Sequence, residues 1–214
     1  MTKEYEISDF TKISAGFGFN VKVYYGEKFK VVVTTKDDHD KKLIVEKEED
    51  TLVLNYKQGF FSSNPGLSAE VTLPFIDGLR ISGASNIELM DRVLVAERLM
   101  LKASGASSMA GYIESSFTEI HLSGASSVEI TGSTNECVVH LSGASHILAK
   151  DFTTDSLEAK VSGASHITME VVDLIEGKLS GASSINYLGE PKIESATSGV
   201  SSISAYYKED EEIE

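Results

Sequence analysis

Basic side chains recur from residue 80 onward at intervals of 18 to 22 residues, each three positions before the glycine of a repeated Ser-Gly-Ala-Ser motif. They are Arg80, Lys102, His121, His140, Lys160 and Lys178. If successive repeats stack, these side chains form one cationic column on an outer face, and such a column could bind an anionic glycan. The column gives five candidate partner-binding residues, namely Lys102, His121, His140, Lys160 and Lys178.

Acidic residues two positions away give this column a second interpretation. Glu119, Glu158, Glu176 and Glu194 lie on the same outward face. The segments Glu158-Ala159-Lys160 and Glu176-Gly177-Lys178 predict ion pairs, each contributing roughly 0.2–1 kcal/mol when exposed. A charge-balanced, solvated sheet explains the column without a ligand, and we favour that interpretation over a binding stripe.

Four histidines could bind a metal if they were neighbours in space. Stacking would place His121 beside His140 and His146 beside His166, with roughly 5 Å between the imidazoles of each pair. A closed metal site needs further ligands that the sequence does not supply, so we predict no metal and no cofactor. The acidic segment 37–40 lacks the spacing of a calcium loop, and we interpret it as a solvated turn.

Two adjacent aromatic residues, Phe60 and Phe61, lie in a segment rich in Gly, Ser, Asn and Pro. Exposed aromatic rings stack on sugars and anchor protein interfaces. The same two rings could instead fold back over the end of the core. Both interpretations stay open, and Phe60 and Phe61 join the candidate binding residues.

The elements that position these residues follow from the repeats themselves. Positions two and four before each glycine, and four after it, are mostly apolar and alternate with polar residues, as in strands with one buried face. Ile87, Val128, Ile147, Ile167 and Ile185 should form one buried ladder. Self-similarity at this period predicts a parallel β-solenoid, an all-β fold in which each lap buries the core of the next.

The Ser-Gly-Ala-Ser motif should form a corner of each lap. Glycine accepts the backbone angles of a sharp bend, and the serine hydroxyls can bond to nearby backbone groups. We expect the uneven spacing of the motifs to arise in a loop of variable length, which returns the chain to the start of the next lap. Cys137 falls in an inward column, which indicates a core residue rather than a nucleophile.

Residues 1–78 lack the motif and predict short strands, which either cap one end of a solenoid formed by residues 79–207 or form its first, irregular laps. An acidic tail, 208–214, follows. We expect hairpins that pair 21–25 with 29–34 and 43–45 with 52–54. A further strand is expected at 69–73, stopped by Pro74.

Composition excludes several classes of function. The 214 residues carry a formal net charge of -14, which disfavours non-specific binding to nucleic acid or to an anionic membrane. There is no apolar run long enough to span a bilayer. The first residues lack the apolar core of a signal peptide, so the protein is either cytosolic or exported by a signal since removed. Neither a nucleophile elbow nor a phosphate-binding loop is present, and we predict no enzyme.

Three stretches resemble the bacterial family described as auto-transporter adhesins of the head GIN-domain type, a domain of unknown function. They are the recurrent Ser-Gly-Ala-Ser with its following apolar residue, the segment 187–193 leading into 198–203, and the segment 17–24. Phe19 stands where the family has isoleucine, and Val200 replaces the usual alanine.

This resemblance implies a right-handed parallel β-helix and an extracytoplasmic location in the bacterial cell envelope. It carries no catalytic or binding residue. The resulting hypothesis is a non-enzymatic, adhesin-like module whose surface binds a glycan or a protein. The alternative is a structural spacer whose long face self-associates into a homo-oligomer, and a polysaccharide-processing enzyme ranks third.

Overall fold

A computed structural model describes residues 1–36, 42–57, 66–92 and 95–206, without the side chains of residues 95 and 96. These ranges form seventeen β-strands. The strands are β1 (Thr2–Tyr5), β2 (Lys12–Ala15), β3 (Asn20–Tyr25), β4 (Lys30–Thr34), β5 (Leu43–Glu48), β6 (Thr51–Tyr56), β7 (Ser68–Leu73), β8 (Ile76–Ile81), β9 (Asn86–Leu89), β10 (Val95–Ala103), β11 (Ser108–Leu122), β12 (Ser127–Leu141), β13 (His146–Val161), β14 (His166–Leu179), β15 (Ser184–Leu188), β16 (Lys192–Thr197) and β17 (Ser202–Ala205).

Parallel pairing between successive laps makes the chain a β-solenoid of about seven turns, as the repeats predict. One ladder, before the corner, runs from β6 through β2, β8 and β10 to β16. A second ladder, after the corner, runs from β7 through β3 and β9 to β17. Strands β11 to β14 contribute to both ladders, because each passes from one corner to the next.

The core lies between the ladders, where inward side chains meet in register. Ile147 is the Cα partner of Val128 and of Ile167, and all three are fully buried. Ile87 and Ile185 are buried in the same row, so the predicted ladder is confirmed. Each such side chain contributes roughly 1.5–3 kcal/mol through burial. Cys137 is also buried, which raises the pKa of its thiol to about 12 and suits a core residue.

Ser-Gly-Ala-Ser forms the corner between the ladders. Gly143 has a φ of 80°, and the amide of Ala144 donates a 2.7 Å hydrogen bond to the carbonyl of Gly124 in the lap below. A Cβ added to Gly143 would lie 2.4 Å from that carbonyl oxygen. Glycine is therefore required both by the backbone angle and by the closeness of the stacked corners.

The last serine of each motif points into the solenoid. Ser145 is fully buried, and its hydroxyl donates a 2.9 Å hydrogen bond to the carbonyl of Ser142. The same bond recurs in every copy of the motif. The predicted role of the serines in satisfying the turn backbone is confirmed.

The return part of the lap differs from the expectation. Instead of a loop of variable length, β11 to β14 continue as strands, and the uneven spacing is absorbed as shifts of register. One shift falls between Glu129 and Thr131, another between Ala149 and Thr153. Bulges admit extra residues without ending the ladder, so the return can vary and still pair.

The N-terminal region corrects one of the two hairpins. Strands β5 and β6 pair antiparallel as expected and are joined by a two-residue turn at Glu49–Asp50. Strands β3 and β4 do not pair with each other, because β7 lies between them. Strand β7 itself matches the predicted strand and ends before Pro74. Antiparallel strands β1, β4 and β5 lie at the N-terminal ends of the two ladders.

One full lap precedes the first Ser-Gly-Ala-Ser. Ala15 pairs with Ile81 and Asn20 with Asn86, so residues 16–19 occupy the place of residues 82–85. Phe17 takes the position of the corner glycine with a φ of 58°. Within the described ranges, no helix is long and apolar enough to cross a membrane.

Candidate functional site

The basic residues form one continuous column on the outer face of the first ladder. Arg80 is the Cα partner of Lys102, and Lys102 of His121. His140 pairs with His121 and with Lys160, which pairs in turn with Lys178. Alternation along a strand turns these residues outward while their neighbours enter the core. The structure thus brings together the five column residues named from the sequence, one per lap.

The column lines a groove of about 800 Å³, which we call the cationic groove. Its lining comprises Arg80, Ile81, Ser82, Lys102, Ala103, Ser104, His121, Leu122, Ser123, His140, Leu141, Ser142, Lys160, Val161, Ser162, Lys178 and Ser180. None of the described residues that line it is acidic. Each cation is followed two residues later by the first serine of a motif, so charge and hydroxyl alternate around the groove.

Ion pairs neutralise part of this column but not all of it. Lys160 lies 3.1 Å from Glu158, as the sequence predicts. The corresponding pair does not form in the next lap, because Glu176 and Lys178 are beyond 4 Å of each other. Among the described residues, Arg80 and Lys102 also have no carboxylate within that distance. Charge balance on this face is therefore incomplete.

The acidic neighbours explain where the balance fails. Position five before the glycine holds Gly78 beside Arg80 and Met100 beside Lys102. In the last lap Glu194 instead contacts Lys192, at 2.6 Å. The acidic column therefore covers only part of the length of the basic one.

The two central residues of the basic column are histidines whose rings stack on each other. The ring centroids of His121 and His140 are 4.8 Å apart with an angle of 10° between the planes. His121 also contacts Glu119 at 2.5 Å, and this contact holds the pKa of the Glu119 carboxyl below its usual range. Burial, together with nearby His121 and Lys160, lowers the pKa of His140.

The second histidine pair lies on the other side of the corner. His146 and His166 stack at 5.4 Å, and His166 Nδ1 is 2.7 Å from the hydroxyl of Ser184. Both expected neighbour relations between histidines are therefore confirmed. In the part of the chain that the structure describes, no three His, Cys, Asp or Glu side chains form a group suited to a metal ion.

Sequence reasoning missed a second groove, of about 1070 Å³, below the first on the same face. It shares Arg80 and Lys102 with the cationic groove and includes Met100 and Phe117. The guanidinium of Arg98 lies 4.0 Å from the centre of the Phe117 ring. The feature of the sequence that could have predicted this groove is Met100, which interrupts the acidic column because it stands where several later laps have glutamate.

The remaining candidates, Phe60 and Phe61, lie outside the described residues, as do segment 37–40 and the acidic tail. The structure therefore assigns them no place relative to the groove. Among the residues that the structure describes, the candidate site consists of the cationic column.

These features define a parallel β-solenoid with a cationic groove along one outer face. The family model described as "Putative auto-transporter adhesin, head GIN domain" matches residues 9–191, and the chain belongs to this family. The resemblance found in the repeats is thereby confirmed.

Solved structures with the same fold include two described as putative adhesins. One, from Bacteroides fragilis, is 22% identical with a TM-score of 0.88 over 96% of each chain. The other, from Parabacteroides merdae, is 14% identical with a TM-score of 0.79 over 97% of this chain and 96% of its own. A protein from Parabacteroides distasonis described as a putative lipid binding protein is 16% identical, with a TM-score of 0.75 over 97% and 96%. No curated protein sequence is significantly similar to this chain.

Proposed function

We propose that this protein is a non-enzymatic, adhesin-like module of the bacterial cell envelope that binds an acidic glycan in its cationic groove. The observation that carries the proposal is the column of basic side chains at one-lap spacing in a groove whose described lining residues include no acid. The family description and the adhesin names of two structural relatives support the class of function.

The length of the groove favours an extended ligand. Successive laps of a parallel ladder are roughly 4.8 Å apart, so a compact anion would meet only one or two of the cations. A linear polysaccharide could meet one cation per lap, because a pyranose unit is similar in length to the rise of one lap. The serines beside the cations can exchange hydrogen bonds with sugar hydroxyls.

Charge elsewhere on the molecule confines such a ligand to the groove. The formal net charge of -14 repels polyanions from the surface as a whole. A local run of cations that acidic neighbours do not fully pair is therefore the place where an acidic glycan can bind. This reconciles the overall acidity with an anionic ligand.

Binding to an array of acidic and neutral glycans tests the proposal, with Lys102→Ala and Lys178→Ala combined in one variant. Neither lysine has an ion pair among the described residues, so truncation leaves no carboxylate unpaired. We expect Kd for acidic glycans to rise at least about tenfold, since a charged hydrogen bond contributes roughly 1.5–3 kcal/mol. The matched control is Lys28→Ala, an exposed lysine in the turn between β3 and β4.

Equal losses in the control and the groove variant would contradict the groove as the site. Binding only to anionic lipid vesicles or acidic proteins would reject a glycan ligand. Concentration-dependent oligomers without any glycan binding would favour the structural spacer. Shortened glycan products after incubation would show that the protein is an enzyme.

A further inference from the structure

Two of the six basic side chains in the cationic groove are histidines, whose charge depends on pH. His121 and His140 lie between Lys102 below and Lys160 above. Histidine is mostly neutral at neutral pH, whereas lysine and arginine are charged. The groove therefore presents two pairs of permanently charged side chains separated by two imidazoles whose charge can change.

The surroundings of the two histidines differ. From β11, Glu119 contacts His121 at 2.5 Å and supplies it with a counter-charge. From β13, Glu158 contacts Lys160 rather than His140, and β12 has Val138 where β11, β13 and β14 have glutamate. Lys102 and Lys160 add positive charge at the two ends of the pair. In the described chain, His140 has no carboxylate within 4 Å.

The stacked geometry makes double protonation unfavourable in the free protein. Two imidazolium rings 4.8 Å apart would repel each other, and the flanking lysines add to that repulsion. The pKa of His140 is accordingly lowered, chiefly by burial and then by His121 and Lys160. An anion across the two rings would offset this repulsion and supply the nearby counter-charge that His140 lacks.

We infer that His121 and His140 make the groove an acid-responsive anion site, in which an acidic glycan binds more tightly as its binding draws protons onto the two rings. This inference rests on the proposed function. Each ring that becomes protonated on binding takes one proton from solvent, and no other chemical change occurs. When both rings are protonated, the groove presents six cations in succession.

Linkage sets the size of the effect. A ligand that prefers the protonated rings raises their pKa, and its affinity then increases as pH falls between the bound and free values. The gain is at most about tenfold per pH unit for each proton taken up. We expect at least about a fivefold decrease in Kd between roughly pH 7.5 and 5.5.

A dextran sulfate oligosaccharide of defined length is the probe, because its sulfate esters stay ionised across this range. Kd is measured by calorimetry at both pH values for the native protein and for His121→Gln combined with His140→Gln. Glutamine keeps a polar side chain but cannot be protonated, so the ratio of Kd at pH 7.5 to Kd at pH 5.5 should fall to about one in this variant, whatever its affinity at pH 7.5. The chain supplies a matched control in His146→Gln combined with His166→Gln, a stacked pair outside the groove.

The outcomes separate this inference from the proposed function. Binding at pH 7.5 that is no tighter at pH 5.5 overturns the inference and leaves the proposed function standing. No binding at either pH overturns both. Tightening that survives in the groove variant, or is lost in the control, also overturns the inference. Should the groove variant fail to fold, calorimetry of the native protein in two buffers of different ionisation enthalpy still measures proton uptake, and zero uptake near pH 6 rejects the inference.

Discussion

The residues on the inward and outward faces of the strands differ in how much they vary from one lap to the next. Inward positions such as Val128, Ile147 and Ile167 keep one chemical character from lap to lap, and all are fully buried. Outward positions on the same strands change, as from His140 to Lys160. An inward side chain must fit those above and below it, whereas an outward one contacts solvent on one side.

This difference shows where function can reside in a repeat protein. The corner and the inward rows are determined by stacking, and altering them alters stability. The outward column can change without unfolding the chain, so under the proposed function the specificity for a ligand is expected in its departures from strict repetition. The interruptions at Gly78, Met100 and Val138 are such departures, since they leave cations without adjacent acids.

Two adjacent residues, one inward and one outward, give the largest predicted difference in the free energy of unfolding. Ile147→Asp would place a carboxylate in the core, and we expect it to reduce the free energy of unfolding by more than about 4 kcal/mol. Leu148→Asp, at a position that is 49% exposed, should change it by less than about 0.5 kcal/mol. Urea denaturation compares the two variants. Similar losses would disprove the division into faces.

The next largest effect on stability is expected at the corner. Gly143→Ala should destabilise by at least about 2 kcal/mol, because alanine is disfavoured at a positive φ and its Cβ would collide with the carbonyl of Gly124. Ala144→Ser, at the exposed neighbouring position, should stay within about 0.5 kcal/mol of the native protein. Thermal and urea unfolding provide the measurement, and an unchanged stability of Gly143→Ala would show that the corners are not closely stacked.

The two serines of one motif should differ by a smaller amount. Ser145→Ala removes the hydrogen bond to the carbonyl of Ser142 inside the corner, at a cost of about 1–3 kcal/mol. Ser142→Ala alters an exposed side chain that lines the cationic groove, and its effect on stability should be below about 0.5 kcal/mol. If Ser142→Ala were the more damaging variant in urea unfolding, the buried serine would not be what stabilises the corner.

The inward rows were predictable because packing between laps imposes a period that the sequence must show. Ile87 and Ile185 lie almost a hundred residues apart yet belong to one row. The glycine of the corner was predictable for the same reason, since each lap has to bend at the same place. The sequence did not distinguish a first lap from a cap, because Phe17 and Phe19 occupy places held elsewhere by Gly83 and Ser85.

What the sequence could not show depends on pairing between distant segments. Strands β3 and β4 do run in opposite directions, as the turn between them indicates, but β7 from a later part of the chain inserts between them. In the candidate site, the column of cations was visible from its spacing. Which cations form ion pairs was not, because Lys160 and Lys178 have the same local sequence pattern and only Lys160 contacts its glutamate.

The smallest effect concerns the outward column itself. The lowered pKa of His140 means that the fold favours the neutral ring. The native protein should therefore lose stability as pH falls through the ordinary histidine pKa of 6.5. The loss should be complete once the pH is below the lowered pKa of His140. His140→Gln lacks this component, and its stability relative to the native protein should therefore improve between about pH 7.5 and 5. Glu119 acts in a separate range, because its lowered pKa adds stability that is lost only as pH falls below 4.5. Urea unfolding from about pH 7.5 to below 4.5 distinguishes the two groups. Parallel pH profiles for the native protein and His140→Gln would show that the outward column does not disfavour protonation at its centre.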